Sequence, residues 1–114
     1  MPDDLKIDYI EFSTGQIAAS KAFFAKAFGW EFLDYGPAYQ AFSNAGIDGG
    51  LDGGAQTTAG TSLVILKTED LEGALAKVTG AGGEVVEPIF AFPGGRRFHF
   101  REPGGAVLGV WSEE

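Results

Sequence analysis

Apolar and polar positions alternate, then shift to a helical period, then alternate again, and the chain does this twice. "KIDYIEFST" at 6–14 and "TSLVILKTE" at 61–69 are short and rich in β-branched and aromatic residues, and they read as strands. In the stretch after the second of these, Leu71, Ala74, Leu75 and Val78 stand at i, i+3, i+4 and i+7, one stripe of a helix. Thr68 or Asp70 can cap its start, and "GAGG" at 80–83 supplies glycine for a left-handed exit. The stretch after the first strand, about Ile17 to Phe28, carries Phe23, Phe24 and Phe28 on a comparable stripe, interrupted by Lys21.

Three short strands follow each helix. They are "WEFLDY", "AYQAFSN" and a segment near "DGGLD" in the first half, then "EVVEPIFAF", "RRFHFRE" and "AVLGVWS" in the second. "PGG" at 93–95 and 103–105 marks the turns of the second half. Sliding the chain by 54 positions superposes the halves: Ile10 falls on Val64, Phe12 on Leu66, Phe24 on Val78 and Gly29 on Gly83. The expectation is an α+β domain of two β-α-β-β-β modules, about residues 5–54 and 60–114. Glycine-rich "GIDGGLDGGAQTTAG" at 46–60 joins them and reads as a flexible connection. Its "DGGLDGG" lacks the spacing and terminal Glu of an EF-hand, so calcium is not expected there.

At 114 residues, 45% of them apolar, the chain has material for one real core. A net charge of −8 argues against nucleic acid and anionic membrane surfaces. No run approaches the roughly 20 apolar residues of a span, and "MPDDLK" does not resemble a signal peptide. Without cysteine there is neither disulfide nor thiolate metal site, which suits a cytoplasmic protein. P-loop, dinucleotide-binding and nucleophile-elbow motifs are missing from the sequence, and one histidine without a serine motif gives a nucleophilic triad little support.

"YIEFSTGQIAASKAFFAKAFGW", "LVILKTEDLEGALAKVTGAGG" and the closing "FHFREPGGAVLGVW", in this order and spacing, resemble the vicinal oxygen chelate superfamily. That group includes glyoxalase I, extradiol dioxygenases and the fosfomycin- and bleomycin-resistance proteins. The last segment is similar to the family's F-x-D-P-x-G-N, with Glu102 for the Asp and Ala106 for the Asn. The resemblance implies a cupped mixed sheet with helices outside, and a homodimer. It also implies that the family's metal-ligand positions fall at Tyr9, at Leu63, at Gly109 and around Gly49 to Leu51, where Asp48 and Asp52 only flank the strand. A divalent metal wants converging His or carboxylate ligands. Neither metal nor other cofactor is therefore expected.

Strand alternation sorts what faces the trough between the two sheets. With Ile10 and Phe12 toward the first helix, Ile7, Tyr9, Glu11 and Ser13 face inward. With Val64 and Leu66 toward the second, Leu63, Ile65 and Lys67 face inward, joined by Arg97, His99, Arg101, Val107, Gly109 and Trp111 from the last two strands. The expected ligand-binding residues are Tyr9, Glu11, Leu63, Ile65, Arg97, His99 and Trp111, with space opened by Gly109. His99 and Glu11 are the candidates for acid–base work. Each also has a plainer fate: a hydrogen-bonded neutral imidazole, and an ion pair between Glu11 and Arg97.

Three functions fit this inventory. The first is metal-independent binding of a small organic molecule. The second is an enzyme, either a glyoxalase-like lyase or isomerase or a metal-free acid–base catalyst using Glu11 and His99. The third is a dimeric interaction module whose trough is filled.

Overall fold

The computed structural model describes residues 4–54 and 61–114, so residues 55–60 of the glycine-rich connection lie outside the described residues. The elements run β1 (Lys6–Ser13), α1 (Ile17–Phe28), β2 (Glu31–Asp34), β3 (Tyr39–Ser43), β4 (Asp48–Asp52), β5 (Ser62–Lys67), α2 (Leu71–Gly80), β6 (Glu84–Phe92), β7 (Gly95–Arg101) and β8 (Val107–Ser112). Both halves are therefore β-α-β-β-β, as the periodicity predicts. The chain divides into two compact units, Tyr9–Leu63 and residues 4–8 with Val64–Glu114.

In the first unit the strand order is β2-β3-β4-β1, with β1 and β4 parallel and the other pairs antiparallel. Alternation sends Phe12 and Phe42 to the helix side, where Phe12 meets Phe24 at 6.2 Å and Phe42 meets Trp30 at 4.8 Å between ring centroids. Trp30 lies flat on Phe24 at 4.6 Å. Phe42 and Leu51 are fully buried, each contributing about 2 kcal/mol by removal from water. Only one of the three helix phenylalanines points inward. Phe23 is 57% exposed, because successive helical residues turn through about 100° and it cannot share the direction of Phe24, while Phe28, in the last turn, is 60% exposed with its ring 6.1 Å from that of Phe24. No residue of α1 is buried. Gly29 ends the helix at φ 76°, its N–H donating to the Ala25 carbonyl.

In the second unit the order is β5-β8-β7-β6, with β5 and β8 parallel and the remainder antiparallel. Leu71 and Ala74 of α2 pack on Phe98 and Val110, all four nearly inaccessible, with Leu75, Val78, Phe100, Ile89 and Leu5 around them. Asp70 is the N-cap, its Oδ1 accepting from Gly73 N at 3.0 Å, and Thr68 Oγ1 accepts from Asp70 N at 3.1 Å. Gly82 makes the left-handed exit at φ 103°. Each module is thus α+β, a mixed sheet with its helix on one face.

Gly49 and Gly50 of β4 are required by their neighbours on opposite faces. A Cβ at Gly49 would lie 2.1 Å from the Ile10 carbonyl oxygen and 2.4 Å from the Phe42 ring, and one at Gly50 would lie 2.2 Å from the Tyr39 hydroxyl. Gly80, at the end of α2, has open space around it. Gly49→Ala is expected to cost about 2–3 kcal/mol through overpacking against backbone, whereas Gly80→Ala should be neutral or stabilising by up to about 1 kcal/mol. Urea unfolding of the two variants measures the difference. By the same method Asp70→Ala should cost about 1 kcal/mol through loss of the cap.

Candidate functional site

The helix-free face of each sheet carries polar groups where a buried interior would carry methyls. In the first unit Glu11 is only 6% exposed and stands opposite Gly50 in the β1–β4 register. Tyr39, from β3, fills the space the glycine leaves. Its hydroxyl donates to Glu11 Oε2 at 2.9 Å and lies 2.5 Å from the Tyr9 hydroxyl. Tyr39 has one proton and gives it to the carboxylate, so Tyr9 is the donor of the second bond. Burial, then the Glu11 charge and the Tyr9 contact, push the Tyr39 hydroxyl far above the usual tyrosine range. Tyr9 and Glu11 are thus brought together by a residue that the sequence reading did not single out. Leu63, in β5, is half-buried and adds apolar surface without a polar atom.

In the second unit the parallel and antiparallel registers align Ile65, Gly109 and His99 in one row and Lys67, Trp111 and Arg97 in the next. Ile65 is buried. The Arg97 guanidinium lies 5.5 Å from the ring centres of both Phe90 and Phe92, a cation held against two aromatic faces. Trp111 Nε1 donates to Asp8 Oδ1 at 3.2 Å, while Lys67 Nζ lies 5.1 Å from the Trp111 ring and pairs with Glu113 at 3.2 Å. Arg101 is exposed at the end of its strand and pairs with Glu84 across β6. Four of the expected residues, Ile65, Arg97, His99 and Trp111, therefore share this face.

His99 is strongly altered by its surroundings. Burial first, and then the Arg97 charge, push its imidazole down from 6.5 to about 4, so it is neutral at pH 7. Its ring meets the Phe90 ring edge-on at 5.7 Å. Its Nε2 is buried with no hydrogen-bond partner among the described residues. A neutral imidazole nitrogen offers one donor or one acceptor according to tautomer. Gly109 does not leave the empty space expected of it: a Cβ there would stand 3.2 Å from His99 Cδ2 and 3.5 Å from Ile65 Cγ1. The imidazole occupies that room.

The positions that the family resemblance assigns to a metal do not fit one. The Tyr9 phenol is engaged with Tyr39, Leu63 has no donor atom, and the place of a Gly109 side chain is taken by His99. Among the described residues no three His, Cys, Asp or Glu side chains gather as a metal site would require. Two open recesses of about 570 and 340 Å³ lie instead at the start of α1 and share Thr14, Gly15, Ser20 and Phe24. None of the ionisable groups described above lines them. Thr14 Oγ1 is already bonded to Ser20 Oγ at 2.6 Å and accepts from Gln16 N at 3.1 Å. The ionisable groups lie on the helix-free sheet faces.

Residues 6–110 match the family model described as Glyoxalase/Bleomycin resistance protein/Dioxygenase superfamily. Comparison with curated proteins finds no match. A Mn(II)-bound glyoxalase from Novosphingobium aromaticivorans is similar at 23% identity and a TM-score of 0.71, over 97% of this chain and 40% of that one. This chain therefore spans less than half of that glyoxalase. A superfamily member from Vibrio splendidus 12B01 is 17% identical with a TM-score of 0.71, covering 95% of this chain and 98% of its own. A Streptomyces coelicolor methylmalonyl-CoA epimerase in complex with 2-nitronate-propionyl-CoA is 15% identical with a TM-score of 0.68, covering 96% and 94%. At such identities the structures share the fold. No helix among the described residues is long and apolar enough to cross a membrane.

The depressed His99 value has a consequence for stability. The native state binds fewer protons than the unfolded state between about 4 and 6.5, so the stabilisation is whole above pH 6.5 and is lost as pH falls toward 4. The melting temperature should fall more steeply across that window in the native protein than in His99→Gln, measured at matched ionic strength. Parallel curves for the two proteins would contradict a buried neutral imidazole.

Proposed function

Because the chain belongs to the Glyoxalase/Bleomycin resistance protein/Dioxygenase superfamily, we propose that it binds a small organic molecule on a helix-free sheet face without a metal ion. The observation that carries this reading is the buried His99 Nε2 without a hydrogen-bond partner among the described residues, beside Arg97 and the Phe90 and Phe92 rings. A buried polar atom left in that state costs about 1–3 kcal/mol, and a ligand atom that reaches it once the side chains covering it move aside recovers this on binding. The aromatic rings and Trp111 supply flat contact area, Ile65 an apolar floor, and Arg97 a planar cation suited to carboxylate or other oxyanion groups. Tyr9, Glu11 and Leu63 are the ligand-contacting residues proposed for the first unit, with Tyr39 added to them. The structural relatives named for a glyoxalase and for a methylmalonyl-CoA epimerase support a small-molecule role, although substrates are not transferred from them.

A metal-free acid–base enzyme is the second reading, and the buried Glu11 under the Tyr39 hydroxyl favours it. It differs from simple binding in requiring turnover that Glu11→Gln abolishes while binding persists.

A thermal-shift screen over aromatic and acidic metabolites tests the proposal, since a ligand specific for the folded state raises the melting temperature by mass action. A hit whose shift disappears in His99→Ala and shrinks at least tenfold in apparent affinity in Arg97→Ala is the expected outcome. Hits insensitive to both substitutions would place binding elsewhere and overturn the assignment.

A further inference from the structure

Two polar side chains lean onto β8 from opposite sides. Lys67, on β5, stands level with Trp111, and its Nζ lies 5.1 Å from the centre of that ring. His99, on β7, stands level with Gly109, and its Cδ2 is 3.2 Å from where a Cβ of the glycine would be. Gly109 and Trp111 are two residues apart on one strand, so the two polar groups lie roughly 7 Å from each other along it. The indole between them is held in place. Its Nε1 donates to Asp8 Oδ1 at 3.2 Å, and its ring is 6.1 Å from that of Phe92.

Lys67 is paired, but with a carboxylate that yields it readily. Glu113 Oε2 accepts from Nζ at 3.2 Å, and the Glu113 side chain is 67% exposed. So exposed an ion pair adds little stability, because water solvates both charges when it opens. Asp8 does not compete for the lysine, since the indole N–H engages it. The chain thus rests an acid group of its own on a cation beside a flat ring.

We propose that Glu113 keeps the place of a ligand's acid group, and that the ligand is a para-substituted aromatic acid lying along β8. Its carboxylate replaces Glu113 on Lys67, with Arg97 level with Trp111 on the other side. Its ring lies against the indole. Its para hydroxyl, separated from the carboxylate by about the 7 Å between the two polar groups, meets His99 Nε2 once the side chains covering that atom move aside. A hydroxyl both donates and accepts, so it serves either tautomer of the neutral imidazole. The net charge of −8 disfavours anions at a distance, but at physiological salt such repulsion is screened beyond about 8 Å. The cations beside the ring then decide. The ligand class rests on the small-molecule reading of this face and adds to it the far end of the ligand and the contact that holds it.

Titration of the intact chain with para-hydroxybenzoate and with its neutral amide, followed through the indole N–H resonances in proton–nitrogen correlation spectra, tests this assignment. Trp111 reports on the face, and Trp30, flat against Phe24 on the helix side of its own sheet, is the internal control. The acid should move the Trp111 resonance, leave that of Trp30 in place, and bind more tightly than the amide. Glu113→Gln should tighten the acid about two- to fivefold and leave the amide unchanged. Lys67→Gln should weaken the acid about tenfold, again without effect on the amide. A Trp111 resonance that neither compound moves would overturn the ligand class. So would an acid that binds no better than the amide, or a Glu113→Gln variant that gains nothing. His99→Ala separates these failures from failure of the parent reading. Equal binding of acid and amide, both lost in His99→Ala, would refute the aromatic acid alone. Acid-selective binding that follows Lys67 and Glu113 but persists in His99→Ala would instead refute binding through His99.

Discussion

Desolvation of ionisable groups on a sheet face is the constraint around which this protein is arranged. One helix per module covers one face of each sheet, and an apolar core forms there from Phe42 and Leu51 in one unit and Phe98, Val110, Leu71 and Ala74 in the other. The opposite faces are partly withdrawn from water, and they carry Glu11, which is buried, and Tyr39, Arg97 and His99, which are half-buried. Taking a charge or a hydrogen-bonding group out of water is unfavourable unless a partner compensates it. Tyr39 supplies one such partner for Glu11. His99 answers the same pressure by giving up its proton, so the imidazole is buried as a neutral ring.

Glycines make these arrangements possible. At Gly50 the missing side chain lets the Tyr39 ring cross the strand and reach Glu11, and at Gly109 it lets the imidazole lie against the backbone of β8. Gly49 does the same on the helix side for Phe42. The three positions fall in segments where the family resemblance anticipates metal ligands. In this chain the space around them is taken up by aromatic and imidazole rings, an environment suited to stacking and single hydrogen bonds rather than to a divalent ion.

Much of the fold was legible because it rests on local periodicity. The 54-residue repeat, the stripe Leu71, Ala74, Leu75, Val78 and the alternation in "RRFHFRE" each depend on neighbours along the chain, and all ten elements follow from them. The face assignments of Arg97, His99 and Trp111 follow from the same alternation and agree with the register. What was not legible depends on pairing between distant strands. Nothing in "AYQAF" announces that Tyr39 lies beside Gly50 and Glu11, although two glycines within a strand signal close approach by a neighbour. Phe23 and Phe28 read as stripe residues with Phe24 by their spacing, but Phe23 points about 100° away from Phe24 and Phe28 sits at the exposed end of the helix. Gly109 read as empty space because an adjacent strand's side chain is invisible from its own strand.

The proposed binding of a small molecule on a metal-free face through His99 is tested most directly by calorimetric titration of a screened ligand before and after exhaustive chelation. One affinity is expected under both conditions, with binding lost in His99→Ala. Binding that vanishes on chelation and returns with added manganese or zinc would contradict it.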